Sequence, residues 1–244
     1  MSPMLGIMAS QISGHLVPVL PITANLTGQW DASNASSVTL SSGKVSQLND
    51  LSGNGRNMLQ ATGANQPTYT TAGKNGLNTM TFSGSQYLTP SSTWSQTYAT
   101  IFIVVKFDSA VSTMIPEGWS NYQLDLTNNF GFNNWDWQLE PGGGGTAVHY
   151  DDGASNTNWN YFSLKRPNSG STATAKVNGG GTWAVRGVPG ALSNLVTGKL
   201  WIGTRNDLAV PLTGQIGEVL LYSTLMSDTD IAIVNAYLSA KWGI

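Results

Sequence analysis

The sequence predicts an all-β protein, an antiparallel sandwich or barrel closed by a single short helix. From Gly28 onward, short β-prone runs are separated by clusters of Gly, Asn, Ser and Pro. No amphipathic helix of normal length occurs before residue 227. Ala99 to Phe107 is apolar on both faces, with Ile101, Ile103 and Val105 on one side and Phe102 and Val104 on the other, the pattern of a strand covered twice.

Taken in order, the chain opens with an arm, residues 1–27, followed by one domain, residues 28–244. The arm is too apolar to float in water, carrying Met4, Leu5, Ile7, Met8 and Ile12, yet Gly6, Ser13, Gly14 and Pro18 interrupt any helix. Such a segment is expected to order by burying side chains against a partner. Further strands are expected at residues 77–82, 86–88, 122–126, 135–139, 159–165, 172–177, 199–202 and 215–222, in two sheets packed face to face. Residues 141–145 and 178–181 are glycine-rich and must turn, because consecutive glycines lose too much backbone entropy within strands. Ser227-Asp228-Thr229-Asp230 has capping-box spacing, and Ile231, Val234, Tyr237 and Leu238 recur at helical intervals.

Composition narrows the function classes. Charged residues make up 10% of the 244, against a usual value of about 25%, so the surface is polar but weakly charged. The net charge is −2 and the eleven Lys and Arg are scattered, which lacks the basic footprint of a nucleic-acid binder. No cysteine is present, so disulfides and thiolate metal sites are excluded. The opening residues fit neither a secretory signal, since no Lys or Arg precedes Lys44, nor an unbroken membrane span. A secreted-looking composition without a signal is expected of a protein released by lysis within a virus particle.

Three blocks carry a resemblance. The first is Gly28-Gln29-Trp30-Asp31 with Asp50-Leu51-Ser52-Gly53-Asn54-Gly55 and Phe82-Ser83-Gly84-Ser85. The second is Trp159 to Lys165 with Lys176-Val177-Asn178-Gly179, and the third is Leu200-Trp201-Ile202-Gly203 with Leu212 to Tyr222 and the capped helix. Together they resemble a laminin-G-like domain, which implies an antiparallel jelly-roll β-sandwich of the concanavalin A type with a short C-terminal helix. Met1 to Gly14 is similar to the start of minor tail and other virion structural proteins of actinobacteriophages. That likeness implies a non-enzymatic particle protein on tail or capsid surface, docked to other virion proteins through its arm, present in many copies or as a homo-oligomer, and attached to host-surface glycans. A glycan-cleaving enzyme on the same fold, or a non-viral carbohydrate-binding module, is the alternative.

Candidate chemistry is sparse. Retaining hydrolysis needs two carboxyls about 5 Å apart, and the E-x-D-x-E strand pattern of jelly-roll glucanases is missing; Glu117, Glu140 and Glu218 are dispersed. His15 and His149 are the only histidines, and no G-x-S-x-G elbow occurs, so no catalytic residues are expected. The aromatic stretch with Trp119, Tyr122, Asn134, Trp135, Asp136 and Trp137 offers rings for sugar C–H faces and amides for hydroxyls, though the same alternation suits a buried face. Asp151 and Asp152 supply hard oxygens suited to Ca²⁺, in a composition that a plain solvated turn shares. No other cofactor is expected.

Overall fold

A computed structural model describes residues 9–12, 15–91, 100–108, 117–118, 122–129, 134–141, 149–151, 157–165, 174–180, 184–186, 199–204, 208 and 211–244. The chain begins with a hairpin of β1 (Ala9–Ile12) and β2 (His15–Pro18). Next come β3 (Leu26–Asp31), β4 (Val38–Ser41), β5 (Lys44–Leu48), β6 (Met58–Leu59), β7 (Thr68–Lys74), β8 (Leu77–Ser83) and β9 (Thr89–Pro90). The central strand is β10 (Thr100–Phe107), followed by β11 (Glu117–Gly118), β12 (Tyr122–Asn129), β13 (Asn134–Pro141) and β14 (His149–Asp151). The remainder is β15 (Trp159–Lys165), β16 (Thr174–Val177), β17 (Ala184–Arg186), β18 (Lys199–Leu200), β19 (Thr213–Tyr222) and the helix α1 (Asp228–Trp242).

Eleven strands join one antiparallel hydrogen-bonded path, β16-β15-β10-β19-β8-β7-β5-β6-β9, with β3 on β19 and β4 on β5. The ten-residue β19 pairs with β10 on one side, while its other edge is shared between β8 at Thr213–Ile216 and β3 at Glu218–Tyr222. The path curls into layers packed face to face, as the strand pattern predicts, so that Val45, Leu48 and Met58 meet Ile101, Ile103 and Phe162 in a single sandwich core. The result is an all-β jelly-roll sandwich with one C-terminal helix.

The two faces of β10 do what their residues require. Ile101, Ile103, Val105 and Phe107 enter the sandwich core, and Phe102 and Val104 turn the other way to meet the helix. Helix α1 starts where Ser227 accepts a hydrogen bond from the Asp230 N–H at 3.1 Å and donates to the Asp230 carboxylate at 2.8 Å. It ends at Gly243, whose φ of +62° favours glycine. Its buried side includes Ile231, Val234, Tyr237 and Leu238, as their spacing predicts, and also Lys241 and Trp242. Gly217 makes room for Trp242, because a Cβ there would lie 2.6 Å from the indole ring.

Two expectations shift. Leu20 and Leu26 are buried beneath α1 with Ile22 packed alongside, and β3 already begins at Leu26, so part of the expected arm belongs to the folded layer. Residues 86–88 contribute one bridge, Leu88 to Ile202, because the Gln86 side chain instead accepts the Ser83 N–H at 2.6 Å. The D-x-S-G-N-G turn forms as its residues suggest: Asp50 accepts from the backbone N–H groups of Gln29, Ser52 and Arg56. Asn54 in the same turn donates to the Leu26 carbonyl. Among the described residues, no helix is long and apolar enough to cross a membrane.

Candidate ligand-binding site

The sequence-predicted site residues are only partly placed. Trp119, Asp152, Met4, Leu5, Ile7 and Met8 lie outside the described residues, and Tyr122, Asn134, Trp135, Asp136, Trp137, Asp151 and Ile12 are described by backbone alone. In the β12–β13 hairpin Tyr122 stands opposite Pro141 and Asn129 opposite Asn134. Tyr122 and Asn134 are therefore at opposite ends, about 23 Å apart at roughly 3.3 Å per residue. One sugar residue cannot span both, whereas Asn134 to Trp137 stay contiguous. Asp151 closes β14 opposite Ala184, and Ile12 pairs with His15. Among the described residues no three His, Cys, Asp or Glu side chains converge on a metal position.

Two acids that are far apart in sequence do meet. Asp31 and Glu218 are direct partners in the β3–β19 register, on the face that α1 covers. Lys241 lies between them, its Nζ 2.5 Å from Asp31 Oδ2 and 2.8 Å from Glu218 Oε2. Tyr237, Trp242 and Gln29 each donate a hydrogen bond to Glu218, at 3.0, 3.2 and 3.0 Å. Asp31 also accepts from the backbone and hydroxyl of Ser33.

Burial pushes the Glu218 carboxyl above its usual range; Lys241 opposes the rise and Asp31 adds to it. For Lys241, burial works downward, but Asp31 and then Glu218 hold the ammonium above its ordinary value. Burial also drives the Tyr237 phenol well above its usual value, with Glu218 adding to it, so it stays a donor. Glu218 and Lys241 are 0% and 1% exposed. An acid pair sealed in this way, with its lone pairs occupied, has no place for a substrate and serves to seat the helix.

Among the described residues, a partly exposed aromatic pair offers a surface to a ligand. The chain segments around Leu88 and Ile202 exchange backbone hydrogen bonds of 2.8 and 2.9 Å, and both side chains are fully buried in the core. Strand alternation turns the preceding residues, Tyr87 and Trp201, outward. Their rings stack with centroids 5.3 Å apart and planes 19° from parallel. Residues 60–66 brace the pair: Gln60 donates to the Tyr87 carbonyl, and Asn65 accepts from the Tyr87 N–H and approaches its hydroxyl at 3.4 Å. Sequence reasoning placed these residues in strands but not in a site. The available signal was an aromatic directly before a buried aliphatic in both segments.

No known family profile matches the chain, and neither does any curated protein. Solved structures do resemble it. Domain 4 of AbnA, a GH43 extracellular arabinanase from Geobacillus stearothermophilus in complex with arabinotriose, superposes with a TM-score of 0.61 at 14% identity, covering 86% of this chain and 98% of that one. The receptor binding domain of botulinum neurotoxin mosaic serotype C/D gives 0.59 at 13% identity, over 88% of this chain and 51% of that one. Trypanosoma rangeli sialidase in complex with 2,3-difluorosialic acid gives 0.54 at 14% identity, over 96% of this chain and 36% of that one. At such identities the likeness is one of fold.

Proposed function

We propose that this chain is a non-enzymatic, multi-copy structural protein of a bacteriophage particle, on tail or capsid surface, whose jelly roll attaches to host-surface glycans. The braced Tyr87–Trp201 pair carries the glycan reading, since aromatic faces flanked by amides suit the C–H faces and hydroxyls of sugars. The arabinotriose bound in the complex of the arabinanase domain, which shares this fold, is in keeping with it. The particle assignment rests on the likeness of Met1 to Gly14 to phage tail proteins, and on a composition low in charged residues. Weak affinity per copy suffices, because many copies on one particle raise avidity without new contacts.

A non-catalytic role is favoured because the acid pair that the fold assembles, Asp31 and Glu218, is buried and bound to Lys241. The test is retention on immobilised cell-wall polysaccharide from a susceptible actinobacterium. The native protein should be retained, and Trp201→Ala should lose roughly tenfold or more in affinity, about one stacking contact. Trp201→Phe should keep most of it. Equal binding by Trp201→Ala would remove the pair as the site, and hydrolysis of the polysaccharide would overturn the non-enzymatic reading. Absence of the protein from purified particles would overturn the virion assignment.

A further inference from the structure

A second concavity lies on the opposite layer, between α1 and the turn that follows β16. It holds about 290 Å³, near the lower end of the roughly 300–1,000 Å³ of small-ligand sites. Asp228, Ala232, Ala236 and Ser239 follow one another along the helix at spacings of three and four, and Tyr161, Lys176 and Gly179 close the other side. The two alanines leave the space that larger side chains would fill. Gly179 does the same over Tyr161, since a Cβ there would lie 3.0 Å from the hydroxyl, and its φ of +68° favours glycine in any case.

The wall contains an anomaly. Asn235 is 5% exposed, and its Oδ1 is buried without a hydrogen-bond partner. A buried amide oxygen left unpaired costs about 1–3 kcal/mol, so such a group needs an explanation. Nothing in the packing of α1 supplies one, because the interior side of the helix is served by Ile231, Val234 and Leu238. The rest of the lining restricts what could satisfy it. Lys176 and Asp228 bring opposite charges, the latter already paired with Lys165 at 3.1 Å, so no net field selects an ion. Ile231, Ala232 and Ala236 offer an apolar floor.

We infer that this pocket takes one neutral sugar residue, its ring face on the alanines and a hydroxyl donating to Asn235 Oδ1. The ligand class rests on the glycan-attachment reading; the site itself is separate from Tyr87 and Trp201. The binding probes are the methyl glycosides of a hexose, an N-acetylhexosamine and arabinofuranose, titrated into the full chain while side-chain amide resonances are followed by NMR.

At least one glycoside should shift the Asn235 amide signals. Ala236→Leu, which fills the space, and Asn235→Leu, which removes the acceptor, should each weaken that binding by roughly tenfold or more. Asn235→Leu should meanwhile fold normally, since an apolar residue suits a buried site. Trp201→Ala should leave the pocket titration unchanged. Unaltered binding in both pocket variants, or no shift with any of the three glycosides, overturns the pocket. Retention on polysaccharide that still depends on Trp201 would then show that the attachment reading stands without it.

Discussion

Lys241 sits where three charges meet away from water. Lys241→Ala would leave Asp31 and Glu218 facing each other with no cation, and should cost about 3–5 kcal/mol in chemical denaturation. The pH dependence has a definite sign. The folded protein holds this ammonium above its ordinary value, so its contribution is complete below about pH 10.4 and is lost as pH rises through the higher folded value. Glu218 acts in the same sense at lower pH: its raised carboxyl value makes stability decline as pH rises from the ordinary glutamate range to the raised one. Melting curves from neutral to strongly alkaline pH should show a fall in the native protein that Lys241→Met lacks, and parallel curves would show that the ion triad does not set alkaline stability. Glu218 was visible in the sequence as an acid in the closing strand. Its partners were not: a lysine in the last turn of a helix reads as a surface charge complementing the dipole, and a contact spanning 210 residues leaves no local pattern.

At the scale of elements, the strands with strict apolar patterns were legible. Trp159–Lys165 forms as the sequence suggests and α1 starts at its capping serine, because alternation and capping are written within a few neighbouring residues. The limit of the arm was not legible. Apolar residues from Leu16 to Ile22 announce a need for burial but not the surface that provides it; for Leu20 and Ile22 that surface is the chain's own helix layer, where Tyr222 also donates to the Ile22 carbonyl at 2.8 Å. Removing residues 1–17 should therefore leave a cooperatively melting domain. Removing residues 1–26 takes away Leu20, Ile22 and Leu26 and should cost at least about 3 kcal/mol, the burial of two leucines. Calorimetry on the two truncations distinguishes these outcomes, and equal melting temperatures would place the domain boundary after Leu26. The proposed glycan site shows the same division: single aromatics were readable, but the juxtaposition of Tyr87 with Trp201 depends on a bridge between segments more than a hundred residues apart.

Over the whole molecule, one β-strand organises everything else. β19 is bordered by β10, β8 and β3, and it carries Glu218 to the helix, so the first strand of the main sheet finds its partner only in the last. Topology of this non-local kind folds in milliseconds to seconds rather than microseconds. Stopped-flow refolding should show a main phase in that range, and a microsecond phase accounting for the full amplitude would contradict it. The timing matters most during synthesis. At roughly 5–20 residues per second, Leu26–Asp31 waits on the order of ten seconds or more for Thr213–Tyr222 to be made. Throughout that interval Trp30, Phe102 and Val104 have no finished layer to enter. Until β19 is made, the nascent chain therefore carries apolar side chains that the finished sandwich will cover, so shortening the stretch between the two strands should shorten that exposure.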